Sequence, residues 1–146
     1  MEKFPSFADL SDEQLDIYHF DKNTPLLITG GPGSGKTVMA LWRTCSLIKS
    51  RQDVNSLMFN KVLLSYTKPH FDQLNEDNIA DHRRSYVSTV NSYMSKSYRK
   101  VTGKNLGRTI NYDNLLNWAI DEAKDSDLQN LFGSFFVVDE GQDFSP

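Results

Sequence analysis

The sequence predicts an α/β domain with a parallel sheet, arranged around a glycine-rich loop. Three observations carry this. Gly30-Gly31-Pro32-Gly33-Ser34-Gly35-Lys36-Thr37 has the spacing of a phosphate-binding loop, glycine, four residues, then Gly-Lys-Thr. An apolar run precedes it, and a stretch with apolar residues at helical spacing follows it. Downstream, apolar runs alternate with amphipathic stretches as far as Phe135-Phe136-Val137-Val138. Strands alternating with helices imply parallel pairing with right-handed crossovers.

Taken in order, Ser11-Asp12-Glu13-Gln14 opens a helix. Ser11 caps it, and the Gln14 side chain can return to the Ser11 N–H as a capping box. The same glutamine could instead offer its amide to an adenine edge. Pro25-Leu26-Leu27-Ile28-Thr29 reads as a short buried strand entering the loop. In the loop, glycines leave no Cβ between the backbone and a polyphosphate. The N–H groups and dipole of the following helix favour an anion there. Lys36 would reach the β- and γ-phosphates of ATP, and the Thr37 hydroxyl would ligate Mg²⁺. The helix predicted from Val38 to Ser50 places Val38, Leu41, Trp42, Cys45 and Ile48 on one face.

Gln52 to Asn60 reads as a linker, and Val62-Leu63-Leu64-Ser65-Tyr66 as a second buried strand closed by Thr67-Lys68-Pro69. A short helix is expected from Pro69 to Glu76, because proline is tolerated in a first helical turn. Glu76 to Arg84 is polar and reads as a surface loop. Tyr86-Val87-Ser88-Thr89 is the third strand, followed by a helix with Val90, Tyr93, Met94, Ser97, Tyr98 and Val101 in period. Val101 to Ile110, with Gly103 and Gly107, reads as a loop. Tyr112 to Lys124 reads as an amphipathic helix, and Leu128 to Leu131 adds a turn. Phe135 to Val138 is the clearest strand, and it runs directly into Asp139-Glu140-Gly141-Gln142-Asp143.

Composition narrows the function. With 146 residues, 38% hydrophobic and 24% charged, the chain makes one ordinary globular domain. Its single cysteine, Cys45, rules out an internal disulfide and reads as a packed thiol on the apolar helix face. No apolar signal segment follows Met1-Glu2-Lys3, and no apolar run is long enough for a bilayer, so a cytoplasmic protein is expected. The net charge of −3 argues against a generally basic nucleic-acid binder. It conceals an asymmetry, however. From His82 to Tyr112 there is no acidic residue, whereas Arg83, Arg84, Lys96, Arg99, Lys100, Lys104 and Arg108 all lie there. Arg83, Arg84, Arg99 and Lys100 read equally as a phosphate track or a solvated face. Tyr93 and Tyr98, at helical spacing, read as core packing before base stacking.

The acidic strand end supplies what a Mg–nucleotide site needs beside such a loop. At the carboxyl end of a parallel strand, Asp139 can reach a metal, and Glu140 can orient and deprotonate a water. Acidic residues also close strands as ordinary turn formers. It is the upstream loop that gives the pair its catalytic reading.

Together, Gly30 to Thr37 and Val138-Asp139-Glu140-Gly141-Gln142-Asp143 resemble motifs I and II of superfamily 1 DNA helicases of the UvrD/Rep type. Leu10-Ser11-Asp12-Glu13-Gln14 is similar to their Q motif, and Leu64-Ser65-Tyr66-Thr67-Lys68 to motif Ia. Val87-Ser88-Thr89-Val90-Asn91-Ser92 occupies the place of their Thr-x-His motif. The resemblance implies that residues 1–146 form the N-terminal part of a RecA-like P-loop motor domain, with residues 135–143 as its Walker B segment. It implies ATP and Mg²⁺ as cofactors and single-stranded DNA as the partner. Gln14 would contact adenine, and Gly30, Gly31, Pro32, Gly33, Ser34 and Gly35 would cradle phosphate with Lys36 and Thr37. Thr37 and Asp139 would hold the metal, Glu140 would activate water, and Gln142 would sense the γ-phosphate. Tyr66, Thr67, Lys68, Thr89 and Asn91 would lie along DNA.

Two departures stand out: Lys68 replaces a usual asparagine, and Asn91 a usual histidine. In this family the strand after motif II lies between the loop strand and the motif II strand, and a second motor domain follows. The resemblance therefore implies a core incomplete at its C-terminal side, with a slot in its sheet. The alternative is a stand-alone nucleotide-binding module or regulatory subunit completed by a partner chain. The glutamine at position 142 and the lack of a recognisable lid argue against a small-molecule kinase.

Overall fold

Val54–Met58 (β1) is the middle strand of a three-stranded parallel sheet, flanked by Ser85–Thr89 (β2) and Phe135–Asp139 (β3). This arrangement comes from a computed structural model that describes residues 5–50, 52–76, 85–106 and 135–140. The register brings Val54 level with Ser85 and Phe135, and Met58 level with Thr89 and Asp139. All three strands thus end flush at one carboxyl edge, where parallel α/β sheets place their ligands. The predicted α/β class with parallel strands is what the chain adopts.

The middle strand is where sequence and structure part. Gln52 to Asn60, expected as a linker, contains β1, and every residue of the strand is buried. A parallel strand covered on both faces normally reads as a continuous apolar run. Here Asn55 and Ser56 interrupt the run while being buried themselves, which conceals the strand from hydropathy. The neighbouring expectation fails in the opposite direction. Val62 to Tyr66 is not a strand but lies within the helix Lys61–Glu76 (α3), started by Asn60, whose Oδ1 accepts from Val62 N at 2.8 Å. Leu63, Leu64, Thr67 and Phe71 turn inward at helical spacing, and Val62 is left 73% exposed. Pro69, expected to begin a helix, sits in the interior of this one.

The remaining helices follow their signals. Asp12–His19 (α1) starts at Ser11 with the full capping box. Lys36–Lys49 (α2) leaves the glycine loop, and Val90–Thr102 (α4) leaves β2, ending at Gly103 in the left-handed conformation. Packing against α1, α3, β1 and β3, α2 is buried continuously from Met39 to Ile48. Trp42 meets Phe7 and Tyr18 edge to face, with ring centroids 5.5 and 6.1 Å apart, which seats α1 on α2. Tyr93, as expected, packs: its ring lies 5.7 Å from Phe136.

Pro25 to Thr29 is not a strand. The segment has no ladder partner among the described residues, and Leu27 is 86% exposed. A cavity of about 810 Å³ separates it from β3, floored by Ala40 and Leu47 of α2. The predicted helix at Tyr112 to Lys124, the turn at Leu128 to Leu131 and most of the loop before Ser85 lie outside the described residues, as do Arg83, Arg84 and Arg108.

Cys45 is 1% exposed, and burial pushes its thiol from an ordinary value near 9.0 up to about 12. It is expected to resist iodoacetamide at pH 8 in the folded chain and to react on unfolding. The unfolded thiol ionises from about pH 9 while the folded one stays protonated, so the unfolded state binds fewer protons. Stability therefore falls between about pH 9 and 12, by roughly 1.4 kcal/mol per pH unit from this group. Urea titrations at pH 8 and pH 10.5 check the sign, with Cys45→Ala expected to lessen the difference.

Candidate nucleotide site

The glycine loop owes its shape to backbone that other residues resist. Gly33 and Gly35 have φ of 76° and 81°, and Gly35 is the N-cap of α2. At Gly30 a Cβ would lie 2.6 Å from Ser34 Oγ, so a larger residue there would make the Ser34 side chain move. Ser34 N donates to Gly31 O at 3.3 Å, and Met39 N to Gly35 O at 3.0 Å. Gly35 offers no side-chain cap, which leaves the N–H groups of the first turn of α2 for an anion. Lys36 Nζ donates to the carbonyls of Gly30 and Gly31, both at 2.9 Å, which holds the ammonium over the loop.

Opposite the loop stands the end of β3. Lys36, Gly30, Asp139 and Glu140 line the same cavity, so the loop and the acidic strand end face one space. That end of the cavity sets a loop cation beside two carboxylates; Leu26, Leu27, Phe136 and Val138 give the rest apolar wall, with Lys22 and Arg43 also in its lining. Asp139 is 5% exposed; its Oδ1 accepts from Glu140 N at 3.1 Å, and its Oδ2 is buried with no hydrogen-bond partner among the described residues. A buried carboxylate oxygen without a donor is costly, and a cation satisfies it. Among the described residues no group of three His, Cys, Asp or Glu side chains gathers for a metal. The lone buried Asp139 oxygen suits magnesium, which takes one or two protein oxygens and draws the rest from phosphate and water. Glu140 has φ of 57°, the left-handed region that non-glycine residues rarely occupy, and such strain gathers at functional positions.

Gln14 takes the capping role in this structure. Its Oε1 accepts from Ser11 N at 3.0 Å, completing the capping box. That bond directs Nε2 the other way, onto the loop: a Cβ at Gly35 would sit 3.0 Å from it. Gly35→Ala is accordingly expected to weaken nucleotide binding and lower stability together, by about 1–2 kcal/mol from the positive φ alone.

The expected DNA-facing residues divide. Tyr66 is 42% exposed and Lys68 is exposed, but Thr67 is fully buried between them. Its hydroxyl is used inside the fold, on Leu63 O at 2.9 Å and Met58 Sδ at 3.0 Å, so the DNA contact expected of Thr67 is withdrawn. Thr89 is also buried and caps α4, accepting from Ser92 N at 3.2 Å, which withdraws its contact too; Asn91 is exposed. Gln142 and Asp143 lie outside the described residues.

A family model described as an AAA domain matches residues 15–146. The chain belongs to that family. It is an AAA-like P-loop domain of the kind found in UvrD/Rep-type helicases. Comparison with curated proteins and with solved structures gave no match. For this AAA domain, membership implies nucleotide binding, usually with Mg²⁺, and NTPase-type chemistry. Among the described residues, no helix of the AAA domain is long and apolar enough to cross a membrane.

Proposed function

We propose that this AAA domain is the ATP-binding part of a cytoplasmic superfamily 1 helicase, in which ATP hydrolysis drives movement along single-stranded DNA. The observation that carries the reading is the shared cavity of Lys36 with Asp139 and Glu140. Lys36 binds the β- and γ-phosphates, and Gly30 to Gly35 surround them with main-chain N–H groups. Thr37 and Asp139 would hold Mg²⁺, which when bound neutralises triphosphate charge and polarises the transferred phosphoryl group. Glu140 takes a proton from the attacking water, and Gln142 reports the γ-phosphate to a second motor domain. Gln14 reads adenine. Tyr66 offers a stacking face to a base, with Lys68 beside it for phosphate.

The test is ATP hydrolysis by a protein joining this domain to a second motor domain, with and without single-stranded DNA. Stimulation by the strand is expected; ATP turnover indifferent to it would overturn the helicase reading. Two substitutions separate surface from core. Tyr66→Ala should weaken strand affinity by about 1–3 kcal/mol. Thr67→Val should leave it unchanged while lowering stability by about 1 kcal/mol, the worth of a lost hydrogen bond. Fluorescence anisotropy and urea titration read the two effects.

A further inference from the structure

Arg43 lies buried on α2, where it also lines the cavity, and has no place in the chemistry described so far. Its guanidinium Nη1 donates to the main-chain carbonyls of Phe20 at 2.7 Å, Tyr18 at 3.3 Å and Ile17 at 3.4 Å, and Nη2 donates to Asp21 O at 2.9 Å. Ser46 Oγ, one turn further along α2, adds a bond to Tyr18 O at 3.0 Å. These are the carbonyls at and just beyond the C-terminus of α1, where a helix leaves acceptors unpaired and its dipole is negative. A planar guanidinium with five donors can fill several of them at once; an ammonium cannot.

We propose that Arg43 is a positioning residue for base recognition: by clamping the C-terminus of α1 it fixes where Gln14, near the other end, meets the loop. The inference rests on the reading of Gln14 as the adenine contact. From Phe20 to Gln14 is about 9 Å along the helix, so a tilt of about 10° at the clamp moves the Gln14 amide by about 1.5 Å. That is enough to lose a hydrogen bond, whose useful range spans about half an ångström. Lys36 stands on α2 itself and its ammonium is held by the carbonyls of Gly30 and Gly31, not by α1. Loosening the clamp should therefore cost affinity for the base and spare affinity for the phosphates.

The experiment is calorimetric titration of this chain with MgATP and, separately, with magnesium tripolyphosphate, which has no base. Arg43→Lys keeps the positive charge and loses the fork. Ser46→Ala removes the second donor with less risk to folding. Gln14→Ala and the double variant Gln14→Ala with Arg43→Lys complete a cycle. Expected are a loss in MgATP affinity of about tenfold for Arg43→Lys, and a smaller loss for Ser46→Ala, with tripolyphosphate affinity within about twofold of the parent. The double variant should be no weaker than Gln14→Ala, because Arg43 acts through Gln14. Equal loss of both ligands, or losses that add in the double variant, would overturn the positioning role. If Gln14→Ala leaves MgATP affinity intact, the adenine reading falls and the positioning role falls with it. If Gln14→Ala weakens MgATP but neither Arg43→Lys nor Ser46→Ala does, only the positioning role falls.

Discussion

Lys36→Ala is expected to abolish measurable MgATP binding while leaving the chain folded. Among the described residues three cations line the cavity, Lys22, Lys36 and Arg43, but Arg43 is tied to the end of α1 and Lys22 to Ser50. Lys36 is thus the cation at the phosphate end, facing Asp139 and Glu140. Without it, a triphosphate would meet two carboxylates with no counter-charge from the loop. Hydrogen bonds to charged groups are worth about 1.5–3 kcal/mol each, so losing two contacts weakens binding on the order of a hundredfold or more. The fold should survive, because the buried part of α2 begins at Met39 and the Lys36 ammonium bonds only to the loop. Calorimetry and circular dichroism decide it: equal ATP affinity in parent and variant would remove the loop from the site.

Glu140→Gln, made in a protein that also carries the second motor domain, is expected to retain ATP binding and lose turnover. A general base contributes about 10²–10⁴ in rate, and an amide of the same size cannot accept the proton. The backbone at φ 57° should not confound the result, since glutamine and glutamate differ little in their tolerance of that conformation. Glu140→Gly provides a contrast. It should be equally inactive yet more stable at this position by about 1 kcal/mol, because glycine adopts positive φ without the Cβ clash. Single-turnover hydrolysis, nucleotide affinity and thermal unfolding together read all three effects. Turnover by Glu140→Gln near the parent rate would exclude Glu140 as the base.

The loop, the Ser11 capping box, α2, β2, α4 and β3 were legible because their signals, turn residues, caps and apolar runs, lie in adjacent residues. What was not legible depended on partners distant in sequence. β1 carries Asn55 and Ser56 in its middle and is a strand only because β2 and β3 pair with it on both sides. Val62 to Tyr66 has strand-like composition, but Asn60 starts a helix there, and helical burial of Leu63, Leu64, Thr67 and Phe71 wins over propensity. Pro25 to Thr29 was read as a strand from its apolar residues, although a strand also needs a neighbour to bond with. The candidate site fared better because its signals were chemical. Lys36, Asp139 and Glu140 meet at one cavity, as their residue types required. Thr67 and Thr89 were misread because a hydroxyl that caps or braces a helix looks the same in sequence as one that faces solvent.

Embedding α2 among α1, α3, β1 and β3 has a further consequence. The rod that presents Lys36 at its tip is also the middle of the hydrophobic interior, so ligand affinity and folding free energy draw on the same side chains. Trimming Leu41 or Leu47 should register in a nucleotide titration as well as in a melting curve. Conversely, a nucleotide at a hundred times its dissociation constant should raise the unfolding free energy by about 2.7 kcal/mol, spread through the whole domain.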